Sequence, residues 1–80
     1  MKEKNALEVS SIVRDYFDTI KKTKYIFDVV NVKYDEETNE WFVVCEVSNV
    51  FEETPRIYNI RVDDGSGDIL DVSEDIKENS

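Results

Sequence analysis

The first quarter of the chain repeats apolar residues at the spacing of an α-helix. Asn5 suits the N-cap position, and Glu8 three residues later completes the pattern of a capping box. The lysine-rich stretch Lys21–Lys24 follows, where cations suit the C-terminal end of the helix dipole. The pattern predicts an amphipathic helix over about residues 5–22. Its apolar stripe consists of Val9, Ile12, Val13, Tyr16, Phe17 and Ile20.

The rest of the chain contains four stretches rich in β-branched and aromatic residues, which predict strands. The first is Tyr25–Tyr34, whose imperfect alternation indicates a β-bulge. Trp41–Phe51 is the strongest, and it is followed by Ile57–Asp63 and Ile69–Val72. Alternation in the second strand predicts one face with Trp41, Val43, Cys45 and Val47, and another with Phe42, Val44, Glu46 and Ser48. The residues aligned on one face of the third strand are Tyr58, Ile60 and Val62.

Short polar connections separate these strands. Residues 35–40 predict a hairpin loop, Glu52–Pro55 breaks the pattern with a proline, and the glycines of Asp64–Gly67 favour a tight turn. Such connections favour an antiparallel meander. The predicted fold class is therefore α+β, with the N-terminal helix packed on one face of a four-stranded antiparallel sheet. The 80 residues are predicted to form a single domain, ordered over about residues 5–72 with a frayed tail over 73–80.

One helix covers only one face of a sheet, whereas the second predicted strand is apolar on both faces. The helix stripe is predicted to pack on the Trp41 face through Val9, Val13, Phe17 and Ile20. The opposite face is the candidate interaction face, for a protein partner or a second copy of the chain. Its residues are Phe42, Val44, Glu46, Ile57 and Arg61. The alternatives are partial cover of this face by the C-terminal tail or by curvature of the sheet.

The charge balance is strongly acidic, with 19 acidic residues against 10 basic ones and a net charge of −9. An acidic surface repels phosphates, which disfavours nucleic acid and anionic membrane as partners. The region Asp63–Ser80 is the most acidic, with Lys77 as its single base. This region is interpreted as a solvated edge and tail, with a docking surface for a basic partner and mimicry of DNA as alternatives.

The residues that usually carry catalysis are scarce. Histidine is absent, and Cys45 is the only cysteine, so no internal disulfide forms. The turn at 63–68 lacks the spacing of an EF-hand loop, and the acidic pairs Glu36–Glu37 and Glu52–Glu53 fall in predicted loops. We therefore expect no catalytic residue, metal, cofactor or small-molecule substrate, and no enzymatic activity. A cytoplasmic location is expected, because the start of the chain shows neither a signal peptide nor a membrane span.

The second half of the chain carries a recognisable order of motifs. A tryptophan strand, Trp41–Val47, is followed by Pro55, by the strand Tyr58–Asp63 and by the hairpin segment Gly67–Leu70. Over roughly residues 41–72 this order resembles the gas vesicle protein GvpO family, and the preceding helix agrees. The resemblance implies an accessory role in gas vesicle formation through protein contacts, without catalysis. The chain departs from the family in its acidic C-terminal segment, where family members are rich in arginine and tyrosine.

The hairpin from Tyr58 to Leu70 is also similar to PepSY-type domains. That resemblance implies a binding or regulatory module with a PepSY-like or cystatin-like fold, and it is the alternative to an assembly protein.

Overall fold

The computed structural model describes residues 2–20, 25–49 and 54–75. The elements in these ranges are α1 (Ala6–Ile20), β1 (Tyr25–Asp35), β2 (Glu40–Asn49), β3 (Arg56–Asp63) and β4 (Ile69–Asp75). The strands form one sheet in the order β1-β2-β3-β4, and every neighbouring pair is antiparallel. The α+β meander predicted from the sequence is confirmed.

Helix α1 begins with the predicted capping box. The amide of Glu8 donates to Oδ1 of Asn5 at 2.8 Å, and the amide of Asn5 donates to Oε1 of Glu8 at 3.2 Å. These bonds satisfy backbone donors that the first turn leaves without a partner. Within the described ranges, no helix is both long and apolar enough to cross a membrane. The helix was predicted to run to residue 22; residues 21–24, which include the three lysines, lie outside the described ranges.

Strand β1 contains the predicted bulge. The pairing of β1 with β2 shifts between Val29 and Asn31, which leaves Val30 without a partner in the ladder. A shift of one residue reverses the face on which the following side chains lie. Phe27 and Val29 before the bulge, and Val32 after it, therefore all pack against the core. The bulge accounts for the imperfect alternation of this strand.

The core lies between α1 and one face of the sheet. Phe17 is at its centre, with its ring centroid 5.7 Å from that of Phe27, 5.2 Å from that of Tyr58 and 5.4 Å from that of Tyr16. The predicted faces of α1 and β2 meet as expected, apart from Ile20. Within the described ranges, the buried hydrophobic residues are Val9, Val13, Phe17, Trp41, Val43, Cys45, Val47, Ile60 and Val62.

Two details of the sequence prediction were wrong, the burial of Ile20 and the end of β4. Ile20, the last residue of α1, is 52% exposed, and it was predicted to pack on the Trp41 face. Strand β4 continues to Asp75, beyond the predicted end at Val72. Its polar C-terminal residues are in the strand because they pair with β3 as far as Ile57. The predicted end of the second strand at Phe51 falls on residues outside the described ranges, in which β2 extends to Asn49.

Candidate interaction face

The five residues predicted for the interaction face lie together on the sheet, on the side opposite α1. Even-numbered residues of β2 alternate with the buried odd-numbered ones, so Phe42, Val44 and Glu46 point away from the helix. The register places Arg61 directly opposite Phe42, and Ile57 directly opposite Glu46. The five residues therefore form one continuous surface, called the outer patch below.

Apolar side chains occupy the middle of the outer patch. Phe42 is 36% exposed, and Val44 and Ile57 are half-buried. On β1, Ile26 and Val30 are also exposed. In the described part of the chain α1 is the only helix, and it packs on the other face of the sheet. A contiguous apolar surface of this kind is typical of a contact site for another molecule.

Arg61 is held beside Phe42 by an ion pair. Its guanidinium donates to Oε1 of Glu40 at 3.2 Å, and Arg61 also lies opposite Asp71 on β4. Partly exposed pairs of this kind add little to stability. The main effect of the pair is to fix the direction of the guanidinium, which places a cation at one edge of the apolar centre.

A row of acidic residues crosses the opposite end of the outer patch. Asp28 of β1 lies directly opposite Glu46, which lies opposite Ile57, and Ile57 lies opposite Asp75 of β4. Like charges placed opposite each other destabilise a ladder. We call Asp28, Glu46 and Asp75 the acidic row.

Sequence reasoning missed Asp28 as part of this face. The signal was its position between Phe27 and Val29, which both point into the core. The imperfect alternation of β1 hid that signal, because the bulge at Val30 exchanges the two faces further along the strand.

The acidic turn between β3 and β4 uses its side chains to hold its own backbone. The carboxylate of Asp63 accepts bonds from the amide of Ser66 at 2.7 Å and from its hydroxyl at 3.0 Å. These bonds hold the pKa of Asp63 below its ordinary value. Gly67 has a φ of +80°, as the predicted tight turn requires. Among the described residues, no group of three or more acidic or cysteine side chains is placed to hold a metal ion.

Asp64 has a structural role that the sequence did not reveal. It is 1% exposed, and its carboxylate accepts bonds from the amides of Glu3 and Lys4 at 2.6 and 2.9 Å and from the Trp41 indole at 2.8 Å. Burial acts to raise the pKa of Asp64, but these bonds outweigh it and the pKa is lowered. Asp64 thus ties the N-terminal segment to the sheet. An open cleft beside it is lined by Glu3, Asn39, Asp63, Asp64 and Gly65.

Within the described ranges, the remaining candidates for chemistry lie apart from one another. Cys45 is fully buried under α1, and burial raises its pKa to about 11, so the thiol stays protonated at neutral pH. Glu36 and Glu37 are exposed in the turn between β1 and β2. The pair Glu52–Glu53 lies outside the described ranges.

The chain matches no protein-family model, and comparisons with curated proteins and with solved structures also found no match. The resemblance to the gas vesicle family therefore depends on the motifs of residues 41–72 and on the preceding helix.

Proposed function

We propose that this chain is a non-catalytic interaction protein that contacts a protein partner, or a second copy of itself, through the outer patch. The observation that carries this proposal is the exposed apolar centre of the sheet, where Phe42 lies beside Arg61 on the face opposite α1. One face of an antiparallel sheet can be solvated, but contiguous exposed apolar residues on such a face are typical of an interaction site. The acidic surroundings favour a protein over nucleic acid or anionic membrane.

We propose that the chain acts as an accessory protein in the formation of gas vesicles, in the cytoplasm. Support comes from the order of motifs from Trp41 to Leu70 and from a single cysteine that is buried and outside any disulfide. A PepSY-like regulatory module is the alternative reading of the same hairpin. The gene neighbourhood separates the two, because gas vesicle genes cluster.

A non-catalytic role is supported by the state of the reactive groups. Cys45 is the one cysteine and carries a raised pKa inside the core. Asp63 and Asp64 are engaged by donors of the protein itself. A group already held in hydrogen bonds within the fold is poorly placed to exchange protons with a substrate.

Replacing Phe42 by glutamate tests the outer patch directly. The new carboxylate would lie opposite Lys33 and Arg61, so the sheet has cations to accommodate it and the variant is expected to fold. We expect Phe42→Glu to abolish self-association in sedimentation experiments, or to abolish capture of the native partner in affinity purification from the host. The circular dichroism spectrum should remain that of the native protein.

Leu7→Glu provides the matched control, because Leu7 is 79% exposed on α1, away from the outer patch. An added acid in the first turn of a helix is also favourable. The control should retain every interaction of the native chain. Equal behaviour of the two variants, or unfolding of Phe42→Glu, would contradict the proposal.

A further inference from the structure

The outer patch and the residues around it carry more acidic than basic side chains. Arg61 is engaged by Glu40, and Lys33, opposite Phe42, is the other cation that the register places on this face. Against them stand Asp71 and the acidic row, which consists of Asp28, Glu46 and Asp75. The free charge of the face is therefore negative, with its acids on both sides of the apolar centre.

Two acidic residues of this row lie directly opposite each other, and their negative charges are not balanced by a neighbouring cation in the described ranges. In the part of the chain that the structure describes, Asp28 and Glu46 take part in neither an ion pair nor a side-chain hydrogen bond. The chain by itself therefore has two like charges on directly opposite residues. A lysine in place of either acid would form an attractive pair there. A cation supplied from outside would lie between the two carboxylates and relieve that repulsion.

On these grounds we propose that the outer patch binds a cationic amphipathic helix of a partner protein. This inference rests on the proposed function, and it names the partner's chemistry. The apolar stripe of the helix would cover Phe42, Val44 and Ile57, and lysines or arginines along one flank would meet the acidic row.

The geometry favours a helix over an added strand. The backbone groups in the middle of the sheet are already used by the ladders to either side, so the face offers side chains and not main-chain partners. Four strands spaced about 4.8 Å apart span roughly 15 Å, enough to seat a helix about 10 Å across. Phe42 and Glu46 are four residues apart, roughly 13 Å along the strand, which separates the apolar stripe from its charged flank.

Charge also argues against a second copy of the chain as the occupant. Each copy has a net charge of −9, and a second outer patch would bring a second acidic row to the interface. Like-charged surfaces disfavour one another when they are brought together. A cationic helix meets no such opposition.

Synthetic peptides provide the test. The first is a helical peptide of leucine and lysine with one apolar stripe, the second has the same composition in scrambled order, and the third has glutamate in place of every lysine. Binding to the native protein is measured by calorimetry, and shifts of backbone amide resonances locate the contact. We expect the first peptide to bind at least roughly tenfold more tightly than the other two, with shifts on the outer face.

The acidic row is tested by the double variant Asp28→Asn and Glu46→Gln. Its matched control, Glu36→Gln with Glu37→Gln, removes the same charge from the exposed turn between β1 and β2. We expect the double variant to weaken binding of the first peptide by roughly tenfold, and the control by less than about twofold. Both variants should show the native circular dichroism spectrum.

Several results would overturn the inference. Equal binding of the scrambled peptide would mean attraction by net charge alone, and equal binding of the glutamate peptide would mean that the acidic row has no role. Absence of binding by all three would refute a cationic helix as partner. If the native protein self-associates, Phe42→Glu abolishes that association and no peptide binds, the outer patch remains an interaction face but its occupant is a second copy.

Discussion

Phe17 joins α1 to two strands of the sheet. It is 1% exposed, and its ring packs against Phe27 on β1 and Tyr58 on β3. We expect Phe17→Ala to lower the free energy of unfolding by about 3–5 kcal/mol, through lost burial and the cavity left behind. Urea titration followed by circular dichroism measures the change.

Leu7→Ala is the control for that substitution, because Leu7 is exposed on the same helix. It should change stability by no more than about 0.5 kcal/mol. A loss below about 1 kcal/mol for Phe17→Ala would contradict the packing of α1 described above.

Asp64 is expected to make stability depend on pH in the acid range. Its folded pKa lies below its unfolded value, so its contribution is fully present above the unfolded pKa of about 3.9 and is lost as pH falls through the folded pKa. Asp64→Asn keeps an acceptor for the Trp41 indole but turns an N–H donor toward a backbone amide. The variant should be less stable at pH 7 than the native protein, and the difference should shrink toward pH 3.

Urea midpoints measured between pH 7 and pH 3 check this expectation. Asp15→Asn removes an exposed carboxylate of α1 and should leave the midpoint at pH 7 unchanged. A constant difference between native protein and Asp64→Asn over the whole range would show that the ionised form of Asp64 is not what the fold uses.

At the residue scale, burial could be predicted from the sequence wherever apolar residues recur with the period of a helix or a strand. Val9, Val13 and Phe17 recur at the spacing of a helix, and their burial was predicted from that spacing alone. Asp64 followed no period, since its hydrogen-bond partners Glu3 and Lys4 lie about sixty residues away along the chain. A buried indole that needs an acceptor was the only available hint.

At the scale of elements, the β3–β4 hairpin depends on the left-handed conformation of Gly67. A Cβ at this position would lie 3.0 Å from Cε of Lys4 and 3.3 Å from Cδ1 of Ile12, in a backbone conformation that side chains disfavour. We expect Gly67→Ala to destabilise the protein by about 1–2 kcal/mol, measured by urea titration.

Gly65→Ala is the matched control in the same turn. The nearest atoms to its added Cβ would be 3.4 Å away, which is ordinary contact. The change should stay within about 0.5 kcal/mol. If both alanine variants behaved alike, the backbone conformation of Gly67 would not be a requirement of the hairpin.

Element types were predictable and element ends were less so. The strand over Trp41–Val47 stood out because apolar residues alternate there. The end of β4 did not, because Ser73–Asp75 is polar and becomes strand only through pairing with β3. The outer patch was predictable from the same alternation, whereas the acidic row needed the register of β1, which the bulge determines.

At the scale of the whole molecule, a net charge of −9 should make stability rise with ionic strength. Salt at about 0.1 M shortens the range of charge interactions to about 10 Å and weakens the repulsion among the acids. We expect sodium chloride to raise the free energy of unfolding by a few tenths to about 1 kcal/mol between low salt and 0.2 M.

The variant Asp28→Asn with Glu46→Gln should gain less from salt, because one repulsive pair is already removed. Urea titrations at several concentrations of sodium chloride and potassium chloride separate ionic strength from specific ion effects. A fall in stability with added salt would instead indicate that attractive pairs such as Arg61–Glu40 dominate.

The bulge at Val30 has a consequence for how these molecules behave in concentrated solution. β1 is an outermost strand of 11 residues, and an unbroken strand of that length would present a template on which unfolded or neighbouring chains could build fibrils. The extra residue bends and twists the strand, so a second chain cannot extend the ladder along its whole length. Deleting Val30 would make the pairing of Val29 and Asn31 continuous with β2, and aggregation would then begin at a lower protein concentration.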